Sequence, residues 1–153
     1  MIPQPTTDVL VRDCCRELTE HILPALQDET VKLRLIMTVT VLENAAVRAG
    51  SEIAWMRAEA EELLSYARDA MAETRDAATS AALAEAVAPG PDDSLLLADV
   101  VAAYERAERA FEAALAGAQR SDAQQLIDRA AALLRERIAT EKKVMAGYAV
   151  VGR

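Results

Sequence analysis

Apolar side chains recur every three or four residues along nearly the whole of this 153-residue chain. In an α-helix that spacing places successive side chains on one face, which must pack against another element to leave water. One such series consists of Ile53, Met56, Ala60, Leu63, Ala67 and Ala70. Another consists of Leu97, Val100, Tyr104, Ala107, Phe111 and Ala114. The pattern therefore predicts amphipathic helices that bury their apolar faces against one another.

The composition favours the same fold class. Alanine is the commonest residue, and the aromatic residues that favour strands make up only 3% of the chain. A chain of this length buries enough surface to fold around one core without metals or disulfides. We therefore expect an all-α antiparallel bundle of about five helices, with residues 1–153 forming a single domain.

Prolines and glycines set the expected helix boundaries. Pro24 ends or kinks the first helix, Gly50 stops the second, and Gly117 stops the fourth. Residues 89–93 form a loop, whereas residues 74–88 either continue the third helix or form a separate one. The expected helices cover Asp8 to Leu23, Asp28 to Ala49, a stretch beginning after Ser51, Ser94 to Ala116, and a stretch capped by Ser121. Residues 1–6 and 147–153 are expected to fray.

The second predicted helix is apolar on two sides. Val31, Leu35 and Val39 belong to one stripe, while Ile36 and Val47 lie on roughly the opposite side. A helix that is apolar nearly all round is usually buried, so this helix is either central to the bundle or shared with a second subunit. Trp55 falls off the main seam of the next helix, and tryptophan is enriched at interfaces. We therefore expect a homodimer with Ile36, Val47 and Trp55 at its interface.

Glu43 and Asn44 interrupt that apolar helix at its middle. A buried polar group without a partner costs about 1–3 kcal/mol, so both side chains are expected to be buried and paired. One interpretation is a polar pair that fixes helix register. The alternative is that Glu43, Asn44 and Arg48 line a ligand pocket between helices, which would suit a hydrophobic small molecule such as an acyl-type ligand.

The sequence predicts no metal site and no catalytic residues. His21 is the single histidine, which excludes a monomeric di-iron site built from paired Glu-x-x-His motifs. Glu17 lies one turn before His21 and is its expected partner, while Cys14 is expected to be buried on the apolar face of the first helix. The chain has no Gly-x-Ser-x-Gly motif, no phosphate-binding glycine loop and no dinucleotide fingerprint. We therefore expect no cofactor.

The net charge, the first residues and the cysteines indicate which partners to expect and where the protein is located. The net charge of −8 argues against binding to nucleic acid or to an anionic membrane surface. The one basic cluster, formed by Arg135, Arg137, Lys142 and Lys143, alternates with glutamates and is interpreted as a solvated helix face. The first residues have no basic and apolar regions typical of a secretory signal, and the adjacent cysteines make a poor disulfide framework. A cytoplasmic location is the expectation.

The stretch 20–26, which reads Glu-His-Ile-Leu-Pro-Ala-Leu, together with the apolar helix that follows to Arg48 and Gly50, resembles an uncharacterised bacterial all-helical family. Genes of that family often lie beside genes for acyl-CoA dehydrogenases and aminoglycoside-phosphotransferase-like kinases. The resemblance covers about the first third of the chain and implies an accessory role near acyl-CoA metabolism. It carries over no functional residue, because Ile36 and Thr40 stand where the family tends to have an arginine and an asparagine.

Three functions follow from these patterns. The first is a non-enzymatic accessory protein that self-associates. The second is a small-molecule binding module with an apolar cleft between helices. The third, and the least favoured, is an enzyme with Glu43 as the base, which would need Glu43 to be shielded from water.

Overall fold

A computed structural model describes residues 4–87 and 94–144, and every regular element in these ranges is helical. The helices are α1 (Thr7–Glu17), α2 (Leu23–Ala25), α3 (Glu29–Thr74), α4 (Ala77–Ala86), α5 (Leu97–Arg120) and α6 (Gln124–Val144). A π-helical turn, Leu18–Ile22, joins α1 to α2. The predicted all-α class is confirmed. The predicted loop at 89–93, the frayed tail at 147–153 and residues 1–3 of the frayed start lie outside the described residues.

The described residues divide into two compact units. The first unit contains residues 4–52 and 139–144, and the second contains residues 53–87 and 94–138. The division falls inside α3 and inside α6. That residues 1–153 form one domain stays a prediction.

Helix α3 is twice as long as expected, because the predicted stop at Gly50 is wrong. None of the described glycines has a positive φ, so Gly50 adopts ordinary helical geometry instead of the left-handed geometry of a helix end. The Ser51 hydroxyl donates back to the Val47 carbonyl at 2.7 Å, which is a bond made within a helix. Arg48 and Glu52 form an i,i+4 ion pair that spans the glycine. Both contacts have helical i,i+4 spacing and show that the helix continues through Gly50.

In the first unit, α1 packs against the N-terminal half of α3. Cys15 is buried there, and its thiol lies 3.9 Å from the Val39 carbonyl oxygen. Ala46 on α3 is fully buried, and Val39 is half-buried. The helical segment that begins with α1 ends close to the predicted position at Pro24. Helical geometry stops at Ala25, and Leu26 is extended.

The core of the second unit is built largely from alanine. Its buried residues are Leu63, Tyr66, Ala67, Ala70, Leu83, Ala107, Ala110, Phe111, Ala114, Ala118, Leu126 and Ala130. Six of the twelve lie on the two apolar seams predicted from the sequence: Leu63, Ala67, Ala70, Ala107, Phe111 and Ala114. Tyr66 and Phe111 are the aromatic residues among these buried residues, and their rings meet with a centroid distance of 5.0 Å.

Successive helices of the second unit alternate in direction, as the sequence predicted. Arg57 of α3 donates to the carbonyl of Ser94, which lies just before α5, through Nη2 at 2.6 Å. Near the other end of α5, Gly117 lies against Asp76, so α5 runs in the same direction as α3. Helix α4 runs in the opposite direction, since Thr79 near its start lies against Gly117 and Glu85 near its end pairs with Arg109. Helix α6 does so too, because Arg129 pairs with Asp69 and Arg137 pairs with Glu59 of α3.

Residues 74–88 do not simply continue the third helix, since α4 is a separate helix. Arg75 has a φ of 54°, which ends α3, and Asp76 caps α4 by accepting the backbone N–H of Thr79 at 2.9 Å. Asp76 also accepts from Arg120 at 2.7 Å. The predicted stop at Gly117 is wrong, because α5 continues to Arg120. Gly117 instead provides the space in which α5 approaches Asp76 and Thr79.

Candidate interaction surface

The clearest surface feature of the first unit is an apolar face on the N-terminal half of α3. Its members are Leu33, Ile36, Met37 and Val41, whose exposed fractions are 54%, 42%, 51% and 49%. The spacings of three and four residues put them on one side of the helix. We call these four residues the α3 face. Four large apolar side chains left about half exposed in one place are typical of an interaction surface.

The side of α3 opposite this face is the one that α1 covers. The Val39 carbonyl meets the Cys15 thiol of α1, Ala46 is fully buried, and Leu35 and Leu42 are half-buried along the same side. Val31, at the start of the same stripe, is 43% exposed, and the sharing of this helix with a second subunit stays a prediction. Within the described residues, the protein itself buries one apolar side and leaves much of the other exposed.

The polar residues predicted to line a pocket lie beside the α3 face. Glu43 is exposed, so the expectation that it is buried is wrong, and its carboxylate is not shielded as a catalytic base would require. Asn44 is half-buried and its Nδ2 donates to the Thr40 carbonyl at 2.8 Å. Arg48 is exposed and pairs with Glu52. Asn44 and Arg48 thus bond along their own helix, and a ligand-binding role for the three residues stays a prediction.

The three predicted interface residues have different surroundings. Ile36 belongs to the α3 face and is exposed. Val47 is half-buried one turn beyond Asn44. Trp55 is also half-buried, and it lies in the second unit. Among the three, Ile36 offers the most surface to a partner.

The second unit contains a shallow groove of about 150 Å³ between α3 and the start of α5. Its apolar lining consists of Met56, Ala60, Leu64, Val100 and Ala103. Several polar groups of the groove are engaged by the protein: the Ser94 hydroxyl donates to Asp99 at 2.5 Å, and Glu61 pairs with Arg68 at 3.2 Å. The groove is an apolar inter-helix cleft of the kind expected, but Glu43, Asn44 and Arg48 are not among its lining residues.

Sequence reasoning missed a half-buried ionic cluster around Arg137. Its guanidinium lies 3.2 Å from Glu59 and 2.8 Å from Glu108, and it stands 5.8 Å from the centre of the Tyr104 ring. Burial, with the charge of Glu59, raises the pKa of Tyr104 well above its usual value. The interpretation of Arg137 as part of a solvated face is therefore wrong, because α6 turns it toward two glutamates of α3 and α5. Arg135 and Lys142 are exposed, as expected.

The predicted pairing of His21 is confirmed, and the predicted burial of Cys14 is wrong. His21 Nδ1 lies 3.2 Å from Glu17, and both side chains are exposed. Cys14 is exposed, whereas its neighbour Cys15 is buried, and this burial raises the pKa of the Cys15 thiol. Across residues 4–87 and 94–144, no three histidine, cysteine or acidic side chains are grouped as metal ligands.

The chain was compared with protein families, with curated proteins and with solved structures, and none of the three comparisons gave a match. The resemblance to the bacterial helical family stays a prediction. None of the helices in the described parts of the chain is both long enough and apolar enough to span a membrane.

Proposed function

We propose that this protein is a non-enzymatic helical protein that acts through self-association, as a homodimer whose subunits meet along the α3 face. The observation that carries the proposal is the exposure of Leu33, Ile36, Met37 and Val41 on one side of a helix. Complete burial of such a side chain contributes about 1.5–3 kcal/mol, so each half-exposed member retains about half of that to gain from a partner. Residues of this kind at the centre of an interface dominate its energetics.

Light scattering coupled to size-exclusion chromatography tests the proposal. The protein is expected to elute as a dimer at micromolar concentrations. The Met37→Glu variant is expected to elute as a monomer, because it places a charge in the centre of the α3 face. Glutamate is a good helix former, so the fold is expected to be retained, and circular dichroism checks this.

A matched control separates this surface from apolar exposure in general. Leu96 in the second unit is 69% exposed, and Leu96→Glu makes a comparable change there. This variant is expected to remain dimeric. A wild-type protein that is strictly monomeric at micromolar concentrations would refute the proposal, as would Leu96→Glu acting like Met37→Glu.

The groove of the second unit favours a second candidate function, the binding of a small apolar ligand. Its volume of about 150 Å³ is below the roughly 300–1,000 Å³ of most ligand pockets, so a short acyl chain is the largest ligand it suits. A thermal-shift series with fatty acids and acyl-CoA esters of increasing chain length tests this function. Short chains are expected to raise the melting temperature, and an Ala60→Leu variant that fills the groove is expected to abolish the effect. Failure of every chain length to stabilise the protein would refute it.

A further inference from the structure

Polar side chains also line the groove between α3 and the start of α5, and most of them are engaged by the protein. Arg57 donates to the Ser94 carbonyl at 2.6 Å, and the Ser94 hydroxyl donates to Asp99 at 2.5 Å. Glu61 pairs with Arg68 at 3.2 Å. Asp99 also lies in the first turn of α5, where the positive end of the helix dipole favours a negative charge. The acidic side chains of the groove therefore already have favourable contacts.

Arg106 of α5 differs from these residues, although it lines the same groove. Its Nε is buried and has no hydrogen-bond partner in the parts of the chain that the structure describes. Burial of a donor that makes no hydrogen bond is unfavourable, and the cost is larger when the donor belongs to a charged group. Because the residue lines the groove and is only half-buried, a bound molecule can reach its side chain. Arg106 therefore offers a positive charge to a ligand.

A carboxylate is the charged group that best matches Arg106 in this groove. A guanidinium is planar and presents its donors in a fixed fork, which the two oxygens of a carboxylate match with parallel hydrogen bonds. A phosphate would bring about two negative charges close to Glu61 and Asp99, whereas a carboxylate brings a single one. An ammonium group would be repelled by Arg106 and would find both acidic side chains already engaged. The charges of the groove therefore favour a monoanion.

The apolar lining of the groove suits a short hydrocarbon chain. This lining consists of Met56, Ala60, Leu64, Val100 and Ala103. The volume is about 150 Å³, and an apolar cavity of about that size in another protein holds benzene, a molecule of about six carbons. A much longer chain would extend from the groove into water and gain little from it. A chain of about four to six carbons is therefore the best match.

We propose that the groove binds the anion of a short, straight-chain carboxylic acid, with the carboxylate on the guanidinium of Arg106 and the chain against the apolar lining. This inference rests on the second candidate function, the binding of a small apolar ligand, and deepens it by naming the head group. A thioester has no negative oxygen to offer to Arg106. In the thermal-shift series, free acids are therefore expected to stabilise the protein more than acyl-CoA esters of the same chain length.

A set of ligands with one chain and three head groups tests the charge preference. Pentanoate, pentanamide and pentylamine are negative, neutral and positive at neutral pH, and titration of isotope-labelled protein followed by two-dimensional NMR compares their dissociation constants. Pentanoate is expected to bind about tenfold more tightly than pentanamide, because it adds a charge-assisted contact. Pentylamine is expected not to bind. Pentanoate is also expected to shift the Nε–H signal of Arg106, which is assigned by its absence from the spectrum of Arg106→Gln.

Two matched variants test the role of Arg106 itself. Arg106→Gln removes the charge, so the dissociation constant for pentanoate is expected to rise by about tenfold while that for pentanamide stays the same. Arg109→Gln makes the same change on the same helix at an exposed arginine that pairs with Glu85 and does not line the groove. This control is expected to leave both constants unchanged. Circular dichroism checks that both variants keep the helical fold.

The outcomes separate this inference from the function on which it rests. Equal affinity for pentanoate and pentanamide would overturn the carboxylate preference and leave the binding of an apolar chain standing, as would tighter binding of pentylamine. A preference for pentanoate that survives in Arg106→Gln would overturn the role of Arg106. Failure of all three ligands to bind would overturn both the inference and the candidate function. A preference for pentanoate that is lost in Arg106→Gln and kept in Arg109→Gln would support both.

Discussion

The contact between α5 and the start of α4 gives a quantitative test through Gly117. A Cβ atom added at this position would lie 3.1 Å from Asp76 Cβ, Asp76 Cγ and Thr79 Oγ1. Such contacts are relieved only if the neighbouring atoms move. Asp76 is held by Arg120 at 2.7 Å and by the Thr79 backbone at 2.9 Å, and Thr79 Oγ1 lies 3.2 Å from the Ala113 carbonyl. These bonds oppose the movement.

Two opposing effects determine how much Gly117→Ala changes the free energy of unfolding. Replacing a helical glycine with alanine favours folding by about 0.5–1 kcal/mol, because alanine loses less conformational entropy. Forcing a methyl group into a well-packed site costs about 1–3 kcal/mol. We therefore expect Gly117→Ala to lower the free energy of unfolding by about 1 kcal/mol.

Gly50→Ala is the matched control. Gly50 also lies inside a helix, but a Cβ there would meet Asp8 only at 4.0 Å, which is ordinary van der Waals contact. This variant is expected to raise the free energy of unfolding by about 0.5–1 kcal/mol. Urea unfolding followed by far-UV circular dichroism measures both variants, and an unchanged m value shows that stability alone has changed. Equal stabilisation by both substitutions would refute the packing argument at Gly117.

Three further predictions concern the second unit. Tyr66→Phe is expected to raise the free energy of unfolding in urea by about 1 kcal/mol, because the buried Tyr66 hydroxyl has no hydrogen-bond partner among the residues that the structure describes. Arg137→Met is expected to lower the free energy of unfolding by about 1–2 kcal/mol, since Glu59 and Glu108 lose their half-buried partner. The control variant Arg135→Met is expected to change this free energy little. Hydrogen bonds, chiefly from Arg120, lower the pKa of Asp76 from 3.8 to about 2. The contribution of ionised Asp76 to folding stability is therefore present above pH 3.8 and is lost as the pH falls toward 2. Acid titration of stability is expected to be shallower over that range in Asp76→Asn, and an unchanged titration would contradict the assignment.

Helical spacing was enough to predict the core seams, but it could not assign roles to single glycines. The seams through Leu63 and Ala67 and through Ala107 and Phe111 follow from periodicity, because burial of those residues depends only on their shared face. The role of Gly117 depends instead on Asp76 and Thr79, which are distant in sequence, and Gly50 keeps ordinary helical geometry inside α3. A glycine that ends a helix and one that admits a close neighbour look alike in sequence.

The α3 face could be predicted only in part from the sequence, because burial depends on which side of a helix is covered by other elements. The sequence indicates Ile36 because its side of the helix is apolar, and the structure leaves this side chain 42% exposed. Glu43 was expected to be buried because its helix is so apolar, but burial is decided face by face, and Glu43 lies outside the covered side. Cys14 and Cys15 differ by one position, or about 100° of helical rotation, which is enough to exchange a buried thiol for an exposed one.

The alanine-rich core has a consequence for how this protein can change. Seven of the twelve buried residues that form the core cluster are alanine, so the helices approach one another with little side-chain volume between them. Alanine has no rotamers to lose, so these seven positions are ordered at no side-chain entropy cost. An alanine also has no side-chain torsion that could absorb an added methylene. Substitutions at these positions are therefore expected to push whole helices apart, so that tolerated changes arise in compensating sets and seldom singly.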